Sequence, residues 1–297
     1  MSEEVIRSLS VRGVSYAYRV LRQPERCTEP VLVLGGALQG MFGWPQLEDR
    51  LGPVAEVVTA DLPGMGSADA LPPGPSIDML CAAVLGIIDD LGVPRINVFG
   101  FSYGAGLAFG CARRFPERIA RLVLGGVPAH ITEEQVAHWR RASAHLGDGD
   151  TDAFATMVAE GLLCRDESRP VARRELAYRY VRRAMLQAAL HSPHAVDSLQ
   201  RALTDRPDFS GGLSGIPTLV FSGEHDTVTE PSRQRDFAAT IAGSRFLTVP
   251  EADHWVVLER PEEVADVAVR FFTDRPVEAP AGPGAAGAGA VADPAWV

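Results

Sequence analysis

The pentapeptide Gly100-Phe101-Ser102-Tyr103-Gly104 joins an apolar run, Ile96–Phe99, to a helical pattern that opens at Tyr103. Glycines two residues either side of a serine suit a tight strand-to-helix turn, because they leave room where the backbone passes close to its neighbours. Such a turn lifts the serine hydroxyl at the carboxyl edge of a sheet. A hydroxyl is a poor nucleophile until a base takes its proton, so this chemistry demands a histidine held by an acid further along the chain. The bland alternative is a serine that merely caps a helix.

Seven histidines are available. His130, His138, His145, His191 and His194 fall at or within a long helical stretch, and His225 sits beside Asp226. His254 stands apart, in Pro250-Glu251-Ala252-Asp253-His254-Trp255, after the last predicted strand and before the terminal helix. Loops at the carboxyl ends of strands are where α/β proteins place reacting groups. For the acid, Gly223-Glu224-His225-Asp226-Thr227 follows an apolar strand directly, which favours Asp226. Glu224 and Asp253 are its rivals, and Asp253 would have to bend back onto its own neighbour's ring. No acid follows the Leu122 strand, where Val127-Pro128-Ala129 stands.

The elements that must position these residues can be read from periodicity. Arg7–Arg12 and Val14–Val20 alternate as two strands turned at Gly13. Short apolar runs at Val31–Leu34, Glu56–Thr59, Ile96–Gly100, Leu122–Gly125, Thr218–Ser222 and Arg245–Val249 suit strands buried on both faces. Helical patterns lie between them: Ile77–Leu91 behind Ser76, Tyr103–Phe115 before Pro116, and Pro231–Ile241 and Pro261–Phe272, each opening on proline. The alternation predicts an α/β fold, a mostly parallel central sheet with helices on both faces. From about Ile131 to Gly211 only helical periodicity appears, so 131–211 is expected to be a helical cap inserted into a core of 1–130 and 212–274. The Ala/Gly/Pro-rich tail, 275–297, is expected to be disordered.

With these motifs in place, the chain resembles the α/β-hydrolase superfamily, in its capped serine esterase, thioesterase and lactonase-like branch. The resemblance spans about Val11–Thr273 and includes Asp61-Leu62-Pro63-Gly64-Met65-Gly66. The order Ser102, Asp226, His254 is that family's triad order. The resemblance implies Ser102 as nucleophile, His254 as general base and then acid, and Asp226 as the group that orients the imidazole. It also implies backbone N–H donors at Ala37 and Tyr103 for the oxyanion. One departure stands out: the family's usual His-Gly after the third strand is here Gly35-Gly36-Ala37.

The expected reaction is cleavage of an ester, thioester or lactone through an acyl-enzyme on Ser102. The alternatives are a non-hydrolytic use of the same triad (acyl transfer, cyclisation, elimination or cofactor-free peroxidation) and a ligand-binding member of the fold without catalysis. No organic cofactor or metal is expected. All 28 basic residues are arginine, so Schiff-base chemistry, pyridoxal anchoring and a phosphate-loop lysine are excluded. Cys27, Cys81, Cys111 and Cys164 are scattered and form no CxxC pair. A net charge of −10 argues against nucleic-acid or anionic-membrane partners. The expected partner is a small acyl substrate, either free or carried on CoA or a carrier protein. Arg173, Arg174, Arg179, Arg182 and Arg183 in the cap read as a solvated helix face or as a grip on such a carrier's phosphate. The acidic start, Met-Ser-Glu-Glu, lacks the charge and apolar run of an export signal, so the cytoplasm is the expected compartment.

Overall fold

The computed structural model describes residues 3–280 apart from 38, 192, 193 and 279. The tail expected to be disordered therefore lies outside the described residues from 281 onward. Eight strands form one sheet: β1 (Glu3–Val11), β2 (Val14–Arg22), β3 (Val31–Leu34), β4 (Val57–Asp61), β5 (Ile96–Phe101), β6 (Ile119–Gly125), β7 (Thr218–Gly223) and β8 (Arg245–Val249). Their spatial order is β1-β2-β4-β3-β5-β6-β7-β8. The pairs β1–β2 and β2–β4 are antiparallel and all the others parallel. Strand β1 begins four residues earlier than its alternation suggests. It pairs with β2 from Glu3↔Arg22 to Val11↔Val14, so ladder bonds rather than burial set its length.

Side chains of the parallel strands alternate between two cores, as pleating requires. Val98, Leu122, Leu124 and Val220 meet α2 (Ile77–Asp90), α3 (Tyr103–Arg114) and α8 (Pro231–Ala239). Phe99, Val123, Leu219 and Phe221 face α1 (Pro45–Leu51) and α10 (Pro261–Phe272). Each fully buried aliphatic or phenyl side chain contributes about 1.5–3 kcal/mol, so these two layers hold the sheet rigid. Two short helices escape the sequence pattern: α1, and α9 (Val256–Glu259). Neither is long enough to show a full apolar stripe.

Between β6 and β7 the chain forms α4 (Glu133–Gly147), α5 (Thr151–Leu162), α6 (Arg174–His191) and α7 (Ala195–Thr204). Helix α4 starts in a capping box, with the Gln135 N–H donating to Thr132 Oγ1 at 3.1 Å and the Thr132 N–H to Gln135 Oε1 at 2.9 Å. Helix α5 packs between α4 and α6. Trp139, Phe154, Val158 and Met185 from these helices join the same apolar cluster as Trp255, so this segment rests on the loop that carries His254.

Candidate active site

Strand β5 ends at Phe101, and Ser102 turns the chain into α3 with φ 52° and ψ −118°. That left-handed conformation costs a non-glycine residue about 1–3 kcal/mol and persists only where its surroundings dictate it. Here they do. The Ser102 N–H donates to the Gly125 carbonyl at 2.8 Å, and the Ser102 carbonyl accepts the N–H groups of Ala105 and Gly106. The flanking glycines are steric necessities: a Cβ on Gly104 would lie 2.1 Å from the Leu34 carbonyl oxygen, and one on Gly100 would lie 2.7 Å from Ala105 Cα.

The structure brings the three predicted residues together. His254 Nε2 lies 3.1 Å from Ser102 Oγ, and His254 Nδ1 lies 3.0 Å from Asp226 Oδ2. The imidazole is 2% exposed and lies 5.5 Å, centroid to centroid, from the Phe101 ring. Burial pushes the His254 pKa down, but the charge and hydrogen bond of Asp226, with the charge of Asp253 behind, outweigh it. The net shift is upward from 6.5. Asp226 accepts four donors: the backbone N–H groups of Val228 (2.8 Å) and Thr229 (2.7 Å) on Oδ1, and the Thr229 hydroxyl (2.7 Å) and His254 on Oδ2.

The rival acids point elsewhere. Asp253 accepts the N–H groups of Cys164 and Trp255, and Glu224 accepts the Glu251 N–H. Of the other histidines, His138 bonds the Met157 carbonyl and His194 the Ala68 carbonyl, while His130 lines the cavity above Ser102. Thr229 was not singled out from the sequence. The only signal for it is its spacing, three residues after an aspartate, where a hydroxyl and an N–H both reach the carboxylate.

Ala37 and Tyr103 both line the Ser102 cavity, and among the described residues neither backbone N–H has a hydrogen-bond partner. Gly35, where the resemblance implies a histidine, has a local explanation. A Cβ at Gly35 would lie 2.9 Å from Gln39 Cβ and 3.0 Å from Trp44. Gln39 shapes the loop instead: its Oε1 accepts the Gly36 N–H at 2.7 Å, and its own N–H donates to the Gly36 carbonyl at 3.1 Å. Asp61 then ties this loop to the next, accepting the N–H groups of Met41 and Ser67.

Residues 29–261 match the model of the alpha/beta hydrolase fold family. The chain belongs to that family. It is 26% identical over 269 residues to a 2-hydroxy-6-oxononadienedioate/2-hydroxy-6-oxononatrienedioate hydrolase of Klebsiella pneumoniae, covering 82% of this chain and 87% of that one. Among solved structures, a thermophilic esterase from Thermogutta terrifontis superposes with a TM-score of 0.73 at 25% identity, covering 91% of this chain and 97% of that one. The enol-lactonase of Burkholderia xenovorans shares the fold, with a TM-score of 0.74 at 24% identity over 90% of this chain and all (100%) of that one.

In this α/β-hydrolase-fold chain, Ser102 opens into a small cavity of about 80 Å³. Phe101, Pro128, Ile131, Trp139, Leu162 and Met185 make its wall mainly apolar, and among the described residues no arginine lines it. The cap arginines are occupied elsewhere or exposed. Arg173 pairs with Glu262 and Arg182 with Asp152, while Arg174 donates to the carbonyls of Cys164, Asp166 and Arg169. Arg179 and Arg183 are exposed, and among the described residues neither makes an ion pair. No cluster of three metal-ligating side chains occurs among the described residues, and no described helix is long and apolar enough to cross a membrane.

Proposed function

We propose that the protein is a serine hydrolase that cleaves an uncharged ester, thioester or lactone through an acyl-enzyme on Ser102. The observation that carries this reading is the unbroken relay from Ser102 Oγ to His254 Nε2 and from His254 Nδ1 to Asp226, at 3.1 and 3.0 Å, beneath an apolar cavity. His254 takes the hydroxyl proton as Oγ attacks the carbonyl carbon. Negative charge then develops on the carbonyl oxygen, and the Ala37 and Tyr103 N–H groups stabilise it. The proton on Nε2 passes to the leaving oxygen or sulfur, and water repeats the cycle in reverse to release the acid.

A second reading, hydrolysis of a C–C bond, draws on the Klebsiella relative, whose dienedioate substrate has no ester or lactone to cleave. A dienedioate carries two carboxylates, and burying an unpaired carboxylate is costly. The absence of arginine from the lining therefore favours an uncharged substrate over a dioate. The same geometry weighs against carrier-phosphate recognition at Arg179 and Arg183, because neither residue lines the cavity.

The test is a panel of p-nitrophenyl esters, acyl-CoA thioesters, lactones and the dienedioate itself, run on the parent protein and on Ser102→Ala. A fluorophosphonate should label Ser102, and Ser102→Ala should lower ester turnover by about 10⁶-fold. Full hydrolysis by Ser102→Ala would remove the nucleophile assignment. Turnover of the dienedioate in preference to every ester would establish the C–C reading instead.

A further inference from the structure

Asp253 is 1% exposed and makes bonds that reach well beyond its own loop. Its Oδ2 accepts the Cys164 N–H at 2.6 Å and its Oδ1 the Trp255 N–H at 3.0 Å, while its own N–H donates to Glu259 Oε2 at 2.7 Å. Cys164 follows α5 by two residues, and its carbonyl is gripped by the Arg174 guanidinium of α6. Cys164 is therefore held on both sides, its N–H by the histidine loop and its carbonyl by α6. A second tie runs parallel, from the Ala172 N–H to the Glu251 carbonyl at 2.7 Å. The segment between α5 and α6 is thus bound to the loop carrying His254 by two buried or half-buried backbone contacts.

Asp253 accepts N–H donors on both oxygens. Burial, together with the charge of Asp253, pushes the Glu259 pKa up to about 10, so Glu259 carries the proton at neutral pH. The groups facing His254 are Ser102 Oγ, Asp226, Thr229 Oγ1 at 3.4 Å, and the charge of Asp253 from behind. Those facing Asp253 are the Cys164 and Trp255 amides and Glu259 of α9.

We infer that Asp253 is a positioning residue that fixes His254 from behind and couples its placement to the cap. The inference rests on the reading of His254 as the base. Burial of the whole network and the long sequence separation of its partners are what give it that role: a local turn would need no donor from 89 residues away.

Asp253→Asn provides the test. The amide has one acceptor oxygen where the carboxylate has two, so one of the two N–H donors loses its acceptor and meets an NH₂ group. kcat for a p-nitrophenyl ester should fall by about 10²-fold, the penalty expected for a misplaced catalytic group. The titration midpoint of the His254 imidazole, followed by NMR, should move down, because a negative charge that favours the imidazolium has gone. Fluorophosphonate labelling counts the folded sites to which kcat is normalised. Cys164→Pro is the second variant. It removes the N–H and keeps the charge, and Leu163 is already extended (φ −129°, ψ 142°), as a residue before proline must be. That variant should lower kcat without lowering the midpoint. Unchanged kcat and midpoint in Asp253→Asn would overturn the inference, as would a loss of activity matched by an equal loss of labelled sites. If His254→Ala keeps full activity, the reading of His254 as base fails. The NMR midpoint then still decides whether Asp253 controls that ring.

Discussion

Replacing Asp226 by asparagine should switch off the protein through a change of tautomer. The two backbone N–H groups of Val228 and Thr229 converge on Oδ1 at 2.8 and 2.7 Å, and only an oxygen can accept them. The asparagine must therefore place its oxygen there, and its NH₂ takes the position of Oδ2, facing Thr229 Oγ1 and His254 Nδ1. The Thr229 hydroxyl can rotate to accept. His254 Nδ1 must also accept, so the ring's proton moves to Nε2 and points at Ser102 Oγ across 3.1 Å. An imidazole in that tautomer cannot take the serine proton. The loss expected of this error in Ser-His-Asp catalysis is about 10⁴-fold in kcat, or ~5.4 kcal/mol at 1.36 kcal/mol per decade. Stability should change little by comparison, because all four partners keep a hydrogen bond. The assay is steady-state ester hydrolysis with burst titration of Ser102, alongside ¹⁵N NMR of the imidazole. Activity within tenfold of the parent, or an Nδ1-protonated ring in the variant, would refute the argument.

Three further outcomes follow from the structure. If His254 is the base as proposed, it must be neutral to act, and its pKa is raised above 6.5 in the fold by Asp226, so kcat/KM should fall on an acid limb whose midpoint lies above pH 6.5. The same shift makes the imidazolium–Asp226 pair stabilising below pH 6.5, and that stabilisation is lost as pH rises through the folded pKa. A rate midpoint at or below 6.5 counts against the assignment of His254. Gly104→Ala drives a methyl group to 2.1 Å from the Leu34 carbonyl oxygen, and overpacking of that kind costs about 3 kcal/mol. At ~2–4 °C per kcal/mol the melting midpoint should drop by about 6–12 °C, and a midpoint within about 2 °C of the parent would show that the turn tolerates a side chain.

The sheet and the turn at Ser102 were legible because their constraints are local. Val31–Leu34 and Thr218–Ser222 are apolar on both faces because helices cover both faces, and four consecutive buried residues leave few other readings. Gly100 and Gly104 flag the turn because any side chain there strikes backbone. Helix α1 was not legible, since seven residues opening on Pro45 show only two turns of pattern, and what holds it is its contact with α10, more than two hundred residues away.

The residues that support the site were invisible for a related reason: their chemistry is ordinary until the fold gives each a partner. Thr229 reads as a loop threonine, yet the carboxylate of Asp226 draws on it twice. Gln39 reads as a polar residue after Gly-Gly, yet it holds the Gly36 N–H beside Ala37, which lines the cavity. Asp253 reads as a rival to Asp226, and sequence proximity alone cannot separate the two. Direction does. The Asp253 carboxylate bonds the Cys164 and Trp255 amides, whereas Asp226, arriving from the neighbouring strand end, lies 3.0 Å from His254 Nδ1. Triad acids come from a different strand than the histidine because only a separate element can be aimed at the ring. The acid beside the histidine is left free to hold the backbone that carries it.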